Sequence, residues 1–273
     1  MILTIHGTRG SIPVCEPEFQ EFGGNTTCFS IYRKDINRTA VIDAGTGIRN
    51  LGKELIKNPD RQRRITIGFS HFHWDHIQGF PFFLPAYDKD CMLNILSVGD
   101  TSEKELKSIL QAQMHSEYFP IPMSKMGGKF NFTNIGEEYV DVHGTNVKII
   151  KQNHPGGSYG VRLELLGRSM VICTDVEHKD PISEDFIQFC SNADLLIHDA
   201  QYTDEELKTR AGWGHSSYTQ AIEVAERAAV KMLVMTHHDP DHDDEFLKMQ
   251  EKICQDRFKD CELAREGIEY NLG

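Results

Sequence analysis

Short apolar runs punctuate the chain. ILTIH (2–6), CFSIY (28–32), TAVID (39–43) and ITIGF (65–69) form a first set. VKIIK (147–151), GVRLELL (160–166), SMVIC (169–173), DLLIH (194–198) and MLVMT (232–236) form a second. Runs of this length predict β-strands, and those without polar alternation predict strands covered on both faces. Helical spacing falls between or after them. Residues 102–118 begin with Ser102 and Glu105, a capping-box pair, and place Leu106, Ile109, Leu110 and Met114 on one face. Residues 217–229 repeat the arrangement with Ser217 and Gln220, and there Ile222, Ala225 and Ala229 face inward. Asp180-Pro181 predicts a helix with proline at its first position. A last helix over 244–258 carries Phe246, Met249 and Ile253. Strands followed by helix, twice over, predict two sheet layers with helices outside them. With no Pro/Gly/Ser linker and no internal repeat, residues 1–273 read as one domain.

Charge narrows the function classes. A net charge of -12 excludes nucleic-acid binding through a general basic surface. The one basic cluster, RQRR with Arg61, Arg63 and Arg64, reads as a solvated patch. The seven cysteines are scattered and none forms C-x-x-C, which fits a reducing compartment rather than a disulfide framework. The N-terminus lacks the pattern of a signal peptide, and no window approaches the ~18 apolar residues of a membrane span. A cytoplasmic protein without a membrane partner is expected.

The chemistry concentrates in HFHWDH, residues 71–76, directly after an apolar run. In an extended segment i and i+2 point the same way, so His71 and His73 can grip one ion. If the chain turns into a helix near Asp75, then Asp75 and His76 swing toward a second point. Two ions need more ligands, and rigid strand ends are where loops hold functional groups. His154 follows VKIIKQN, Asp175 follows MVICT and His237 follows MLVMT.

With HFHWDH, NHPGGSYG, CTD and MTHH in this order, the sequence resembles the metallo-β-lactamase superfamily of binuclear hydrolases over almost its whole length. VIDAGTG (41–47) is similar to the family's second strand and turn. The resemblance implies a four-layer αββα sandwich with two divalent ions per chain, zinc by preference, with manganese or iron also compatible with the N/O donor set. It implies that His71, His73 and His154 bind one ion, that Asp75, His76 and His237 bind the other, and that Asp175 bridges them. Asp43 would support a histidine through its ring N–H. His237 rather than the neighbouring His238 aligns with the strand-end motif.

LLIHDAQY (195–202) and GWGHSSYTQ (212–220) resemble the phosphodiesterase branch, which includes ribonuclease Z and bacterial cyclic phosphodiesterases. There a metal-bridging hydroxide attacks, a histidine before a helix acts as general acid and a carboxylate on the preceding strand orients it. His215 and Asp199 match those positions, and Asp75 joins them in the catalytic set. Ribonuclease Z has glutamate where this chain has Asp199. It also carries a tRNA-binding arm between the third histidine and the bridging aspartate, where this chain has only 20 residues. A small-molecule phosphodiester, such as a small or cyclic nucleotide, is therefore expected as partner. A thioester, lactone or β-lactam is the alternative substrate class, and a non-catalytic nucleotide sensor the alternative function.

The segment at about 80–135 reads as an insertion that walls the substrate pocket or makes a subunit contact in a homodimer, with Tyr118 and Phe119 as candidate base contacts. Met123 joins that wall, and His115 reads as a surface helix residue. GTRGS (7–11) and GGNTT (23–27) fit either phosphate-approaching loops or tight turns. DPDHDD (239–244) reads as a turn and acidic helix cap, and His198 as a packed strand-end histidine.

Overall fold

Two seven-stranded sheets dominate the computed structural model, which describes residues 1–58, 63–136, 140–142 and 144–273. Arg61 of the basic cluster lies outside the described residues. The first sheet contains β1 (Ile2–Gly7), β2 (Cys28–Arg33), β3 (Arg38–Ile42), β4 (Arg64–Gly68), β5 (Met92–Ser97) and β6 (Lys129–Asn134), with β14 (Glu269–Asn271) on its far edge beside β1. The second contains β7 (Val140–Val142), β8 (Thr145–Gln152), β9 (Ser158–Leu165), β10 (Arg168–Cys173), β11 (Leu195–Asp199), β12 (Leu233–Thr236) and β13 (Cys261–Leu263) in sequential order. Each sheet has an antiparallel part and a parallel part: β3 to β6 are parallel, and so are β10 to β13.

The apolar runs behave as strands buried on both faces because two cores use them. On β10, Met170 and Ile172 enter the layer between the sheets, while Val171 and Cys173 enter the outer layer. Leu195 and Ile197 of β11 make the same split against Leu196. The outer layer of the first sheet is closed by α1 (Ile48–Lys57) and α3 (Glu103–Ala112). That of the second is closed by α4 (Glu184–Cys190), α6 (Tyr218–Arg227) and α7 (Asp244–Arg257). Helix, sheet, sheet, helix is the four-layer αββα arrangement.

Several sequence expectations need correction. The segment 80–135 is not a separate insertion alone: it supplies β5 and β6 and so extends the first sheet. Helix α3 has the expected capping box but stops at Ala112, and the chain continues to Met114 in turns. Pro181 does not open a helix, since α4 starts at Glu184 after an N-cap at Ser183. Ala229 does not face inward. It is exposed with a φ of 52°, just past the end of α6, and Ala228 takes the buried place. Met249 and Ile253 of α7 are exposed, while Leu247 and Cys254 face the sheet.

Other features follow the sequence. Asp243 caps α7 by accepting from the Phe246 N–H at 2.8 Å. All seven cysteines are free. Among the described residues no helix is long and apolar enough to cross a membrane.

Candidate metal centre

Strand direction brings the polar residues together. β3, β4, β10, β11 and β12 end on one edge of the sandwich, and β8 runs the same way as β10 through two antiparallel pairings. Asp43, His71, His154, Asp175, Asp199 and His237 all sit at or just beyond these C-terminal ends, the edge where open α/β sheets hold their ligands. Three of them pay a conformational cost to do so. Asp43, Asp175 and His237 have φ of 61°, 60° and 66°, left-handed backbone that costs about 1–3 kcal/mol for a non-glycine residue. His73 is the N-cap of a short helix, α2 (Trp74–Ile77). The turn into α2 separates the extended His71–His73 pair from Asp75 and His76.

The side chains converge in two groups that share Asp175: His71, His73 and His154 with Asp175, and Asp75, His76 and His237 with Asp175. In the second group, His76 Nε2 lies 3.3 Å from Asp75 Oδ2 and 3.1 Å from Asp175 Oδ2. His237 Nε2 lies 3.2 and 3.4 Å from the same two oxygens. Four donors held ~2.1 Å from a tetrahedral ion are separated by ~3.4 Å, so the spacing fits a bound divalent cation. In the first group the separations are 3.0 Å between His154 Nε2 and His73 Nδ1, and 3.7 and 3.8 Å from His154 Nε2 and His71 Nε2 to Asp175 Oδ1. His71 Nε2, His76 Nε2 and Asp175 Oδ2 are buried without a hydrogen-bond partner. Buried polar atoms left so are costly unless a cation satisfies them. These residues are suited to hold metal ions.

A second layer of groups fixes which ring nitrogen is offered. His76 Nδ1 donates to Asp43 Oδ2 at 2.9 Å, leaving Nε2 to face inward. Ser70 Oγ donates to the same Asp43 oxygen at 2.7 Å and so accepts from His71 Nδ1 at 3.1 Å. One carboxylate thus sets two imidazoles, the second through a hydroxyl. His154 Nδ1 donates to the Gly214 carbonyl at 2.8 Å. Asp75 Oδ2 accepts from the Ser11 N–H at 2.9 Å. Asp43 was legible in the sequence; Ser11, Ser70 and Gly214 were not. Ser70 carries the one available signal, a hydroxyl directly before the histidine motif.

Electrostatics divide the histidines. Burial lowers the basicity of His71, His73 and His154, which leaves their lone pairs available. Burial also opposes charge on His76 and His237, but Asp175 and Asp75 overcome it: His76 is held well above its ordinary range and His237 is raised to about 9. Without a cation, protons on these two rings balance the buried carboxylates.

His215 and Asp199 form a separate pair. His215 Nδ1 donates to Asp199 Oδ2 at 2.8 Å, and Asp199 Oδ1 accepts from the Ser216 N–H at 2.8 Å. The His215 ring stacks on His237 at 4.9 Å. His215, Asp75, Asp175 and His237 line one cavity of about 430 Å³ with Ser11, Phe72, His73 and Trp74. An adjoining cleft of about 290 Å³ shares Phe72 and His73 and takes Val98, Asp100 and Thr101 from the 80–135 segment.

The remaining candidates stand elsewhere. Tyr118 is exposed, Phe119 packs edge-on against Phe82 at 5.4 Å, and neither lines the cavity. His115 is exposed and Met123 is buried in the outer core of the first sheet. His238 is buried and its Nε2 donates to the Ala264 carbonyl, 2.9 Å away. His198 packs at the end of β11 with its Nε2 3.0 Å from His178 Nε2. Of the two glycine loops, GTRGS reaches the cavity through Ser11 and is tied to its neighbours by the Gly10 N–H, which donates to His238 O, and the Arg9 N–H, which donates to Asn25 O.

Residues 38–238 match the Beta-lactamase superfamily domain. The chain is similar to a protein named Ribonuclease Z from Picrophilus torridus, with 27% identity covering 99% of this chain and 95% of that protein. Among solved structures it resembles the short form of human tRNase Z, with a TM-score of 0.70 and 19% identity over the full length of both chains. It also resembles a diphosphatase from the PhnP family, with a TM-score of 0.70 and 17% identity covering 98% of this chain and 96% of that one.

Proposed function

The chain belongs to the β-lactamase superfamily, and from that premise we propose that it is a binuclear metal-dependent phosphodiesterase acting on a small or cyclic nucleotide. His71, His73 and His154 would hold one ion and Asp75, His76 and His237 the other, with Asp175 between them. Such ions, when bound, supply Lewis-acid polarisation of a phosphoryl oxygen and an activated water. The observation that carries the reading is the His215–Asp199 pair, whose His215 lines the same cavity as Asp75, Asp175 and His237. With Nδ1 committed to Asp199, His215 presents Nε2 as its remaining donor. A proton at that atom can pass to the leaving oxygen, which an alkyl phosphodiester needs and an acyl substrate with a good leaving group does not.

The chain around the site supports a small substrate. His154 and Asp175 are joined by β9, a two-residue turn and β10, so a tight hairpin stands where a tRNA-binding arm would project. The net charge of -12 opposes the backbone of a long nucleic acid.

Metal-loaded wild type and His215→Ala, compared on an alkyl phosphodiester and a p-nitrophenyl phosphodiester, test the reading. The variant is expected to lose about 10²–10⁴-fold in kcat/KM on the alkyl ester and far less on the nitrophenyl ester, which leaves without a proton. Equal losses on both would refute the acid role. Turnover of a thioester but of neither phosphodiester would refute the phosphodiesterase reading.

A further inference from the structure

Trp74 stands between two residues of the metal centre, His73 and Asp75, and is 81% exposed. It lines the cavity that holds Asp75, Asp175, His215 and His237. Its neighbour on that wall, Phe72, is half-buried and packs against Phe69 at 5.6 Å, so Phe72 is spoken for by the core. The larger ring is left in water. An indole is among the side chains with most to gain from cover, and one left open in the mouth of a concave polar site marks a place for an apolar ligand surface.

The root of the ring is firmly placed. The Asp75 carboxylate accepts from the Ser11 N–H, and the Asp75 backbone carbonyl lies against Gly45, where an added Cβ would come within 2.3 Å of it. His76 is tied to Asp43 one residue further on. The indole is therefore anchored one residue from groups that would hold each ion. The chain's other tryptophan, Trp213, is also exposed and precedes Gly214 and His215, but it is not among the residues lining this cavity.

We propose that Trp74 is the stacking wall for the planar aromatic group of the substrate, a nucleobase whose phosphodiester lies at the metal centre. This rests on the phosphodiesterase reading above. Stacking on an indole face is available to every base, and it reads no hydrogen-bond pattern. The wall therefore selects for a base over no base and discriminates weakly between bases.

Two measurements test it. In the first, metal-loaded wild type, Trp74→Ala and Trp74→Phe are compared on 2′,3′-cyclic AMP and on ribose 2,3-cyclic phosphate, which lacks the base. Trp74→Ala is expected to raise KM for the nucleotide about tenfold with little change in kcat. KM for the abasic compound should hold, and Trp74→Phe should retain most of the nucleotide affinity. An equal loss on both compounds, or a kcat loss with KM unchanged, would overturn the proposal. So would a change of subunit number in Trp74→Ala with nucleotide KM unaltered, which would assign the ring to a subunit contact.

The second measurement needs no turnover. Trp213→Phe leaves Trp74 as the only indole, since the chain has two tryptophans. Its fluorescence is expected to be quenched saturably by AMP and not by ribose 5-phosphate. No quenching by AMP, or equal quenching by both, overturns the stacking wall. If no phosphodiester is hydrolysed at all, the functional reading fails, and this titration alone decides whether the wall binds a base.

Discussion

Glu177 holds no predicted ligand role, yet it ties together three loops that carry the site. Its Oε1 accepts from the Gly212 N–H at 2.9 Å and its Oε2 from the Gly214 N–H at 2.8 Å. Its own backbone pairs with Asn153: the Glu177 N–H donates to Asn153 O at 2.9 Å, and Asn153 Nδ2 donates to Glu177 O at 3.1 Å. The loop bearing Asp175 is thus linked to the one bearing His154 and to the one bearing His215. Gly214 closes the circuit, because its carbonyl receives the His154 ring N–H. Glu177→Ala removes both charge-assisted bonds. Each is worth ~1.5–3 kcal/mol when protected, and partial exposure puts the pair together near the low end, about 2 kcal/mol. For a chain of this size that is a drop in Tm of about 3–4 °C. The functional effect should be larger than this suggests. A freed Gly214 no longer orients His154, and loss of such an outer partner costs about 10–100-fold in metal affinity. The assay is chelator-competed zinc binding to the metal-free protein, alongside thermal melting. Glu177→Gln keeps an acceptor for one N–H and sets an amide NH₂ against the other, so it should weaken zinc binding less than alanine but measurably. A variant that melts lower while binding zinc as the parent does would show that Glu177 supports the loops and not the ligand.

The His178–His198 contact makes a pH prediction. Burial pushes His178 down to about 2 and lowers His198 as well, whereas both titrate near 6.5 in the unfolded chain. Below that pH the unfolded state binds protons that the folded state refuses, so stability is full above about 6.5 and falls as the pH drops, by about 1.4 kcal/mol per pH unit for His178, with His198 adding in the same direction. His178→Gln should remove at least one histidine's share of this slope in melts from pH 7 to 5, and an unchanged slope would remove the pair as its source. Gly10→Ala would put a Cβ 2.3 Å from His237 Nδ1. It should therefore displace His237 and lower the metal content by about one ion per chain relative to wild type, and a full metal complement would contradict the placement of that ring.

The ligand-type residues were legible because their signal is local. HFHWDH packs four donors into six positions, and each of the other three follows an apolar run whose end is visible in the sequence. The parallel strands then need only end on one edge for these residues to meet. What stayed hidden depends on remote backbone. Gly214 acts through its carbonyl and Ser11 through its N–H, groups every residue has, and Glu177 is one acidic residue among 41 aspartates and glutamates. The fold shows the same division. The interior strands announce themselves as apolar runs, but β5 is broken by Asn94, and β13 and β14 are three residues each. Helix α7 offers two overlapping apolar stripes, Phe246/Met249/Ile253 and Leu247/Cys254. Its docking against β13 selects the second, a tertiary choice that periodicity alone does not make. Asp43, Asp175 and His237 are each held in left-handed backbone just past a strand. Nothing in the neighbouring residues requires that conformation. It is sustained by the convergence itself: Asp175 and His237 are aimed at shared points and Asp43 orients His76 toward one of them, and strain kept there is what a site built around cations should contain.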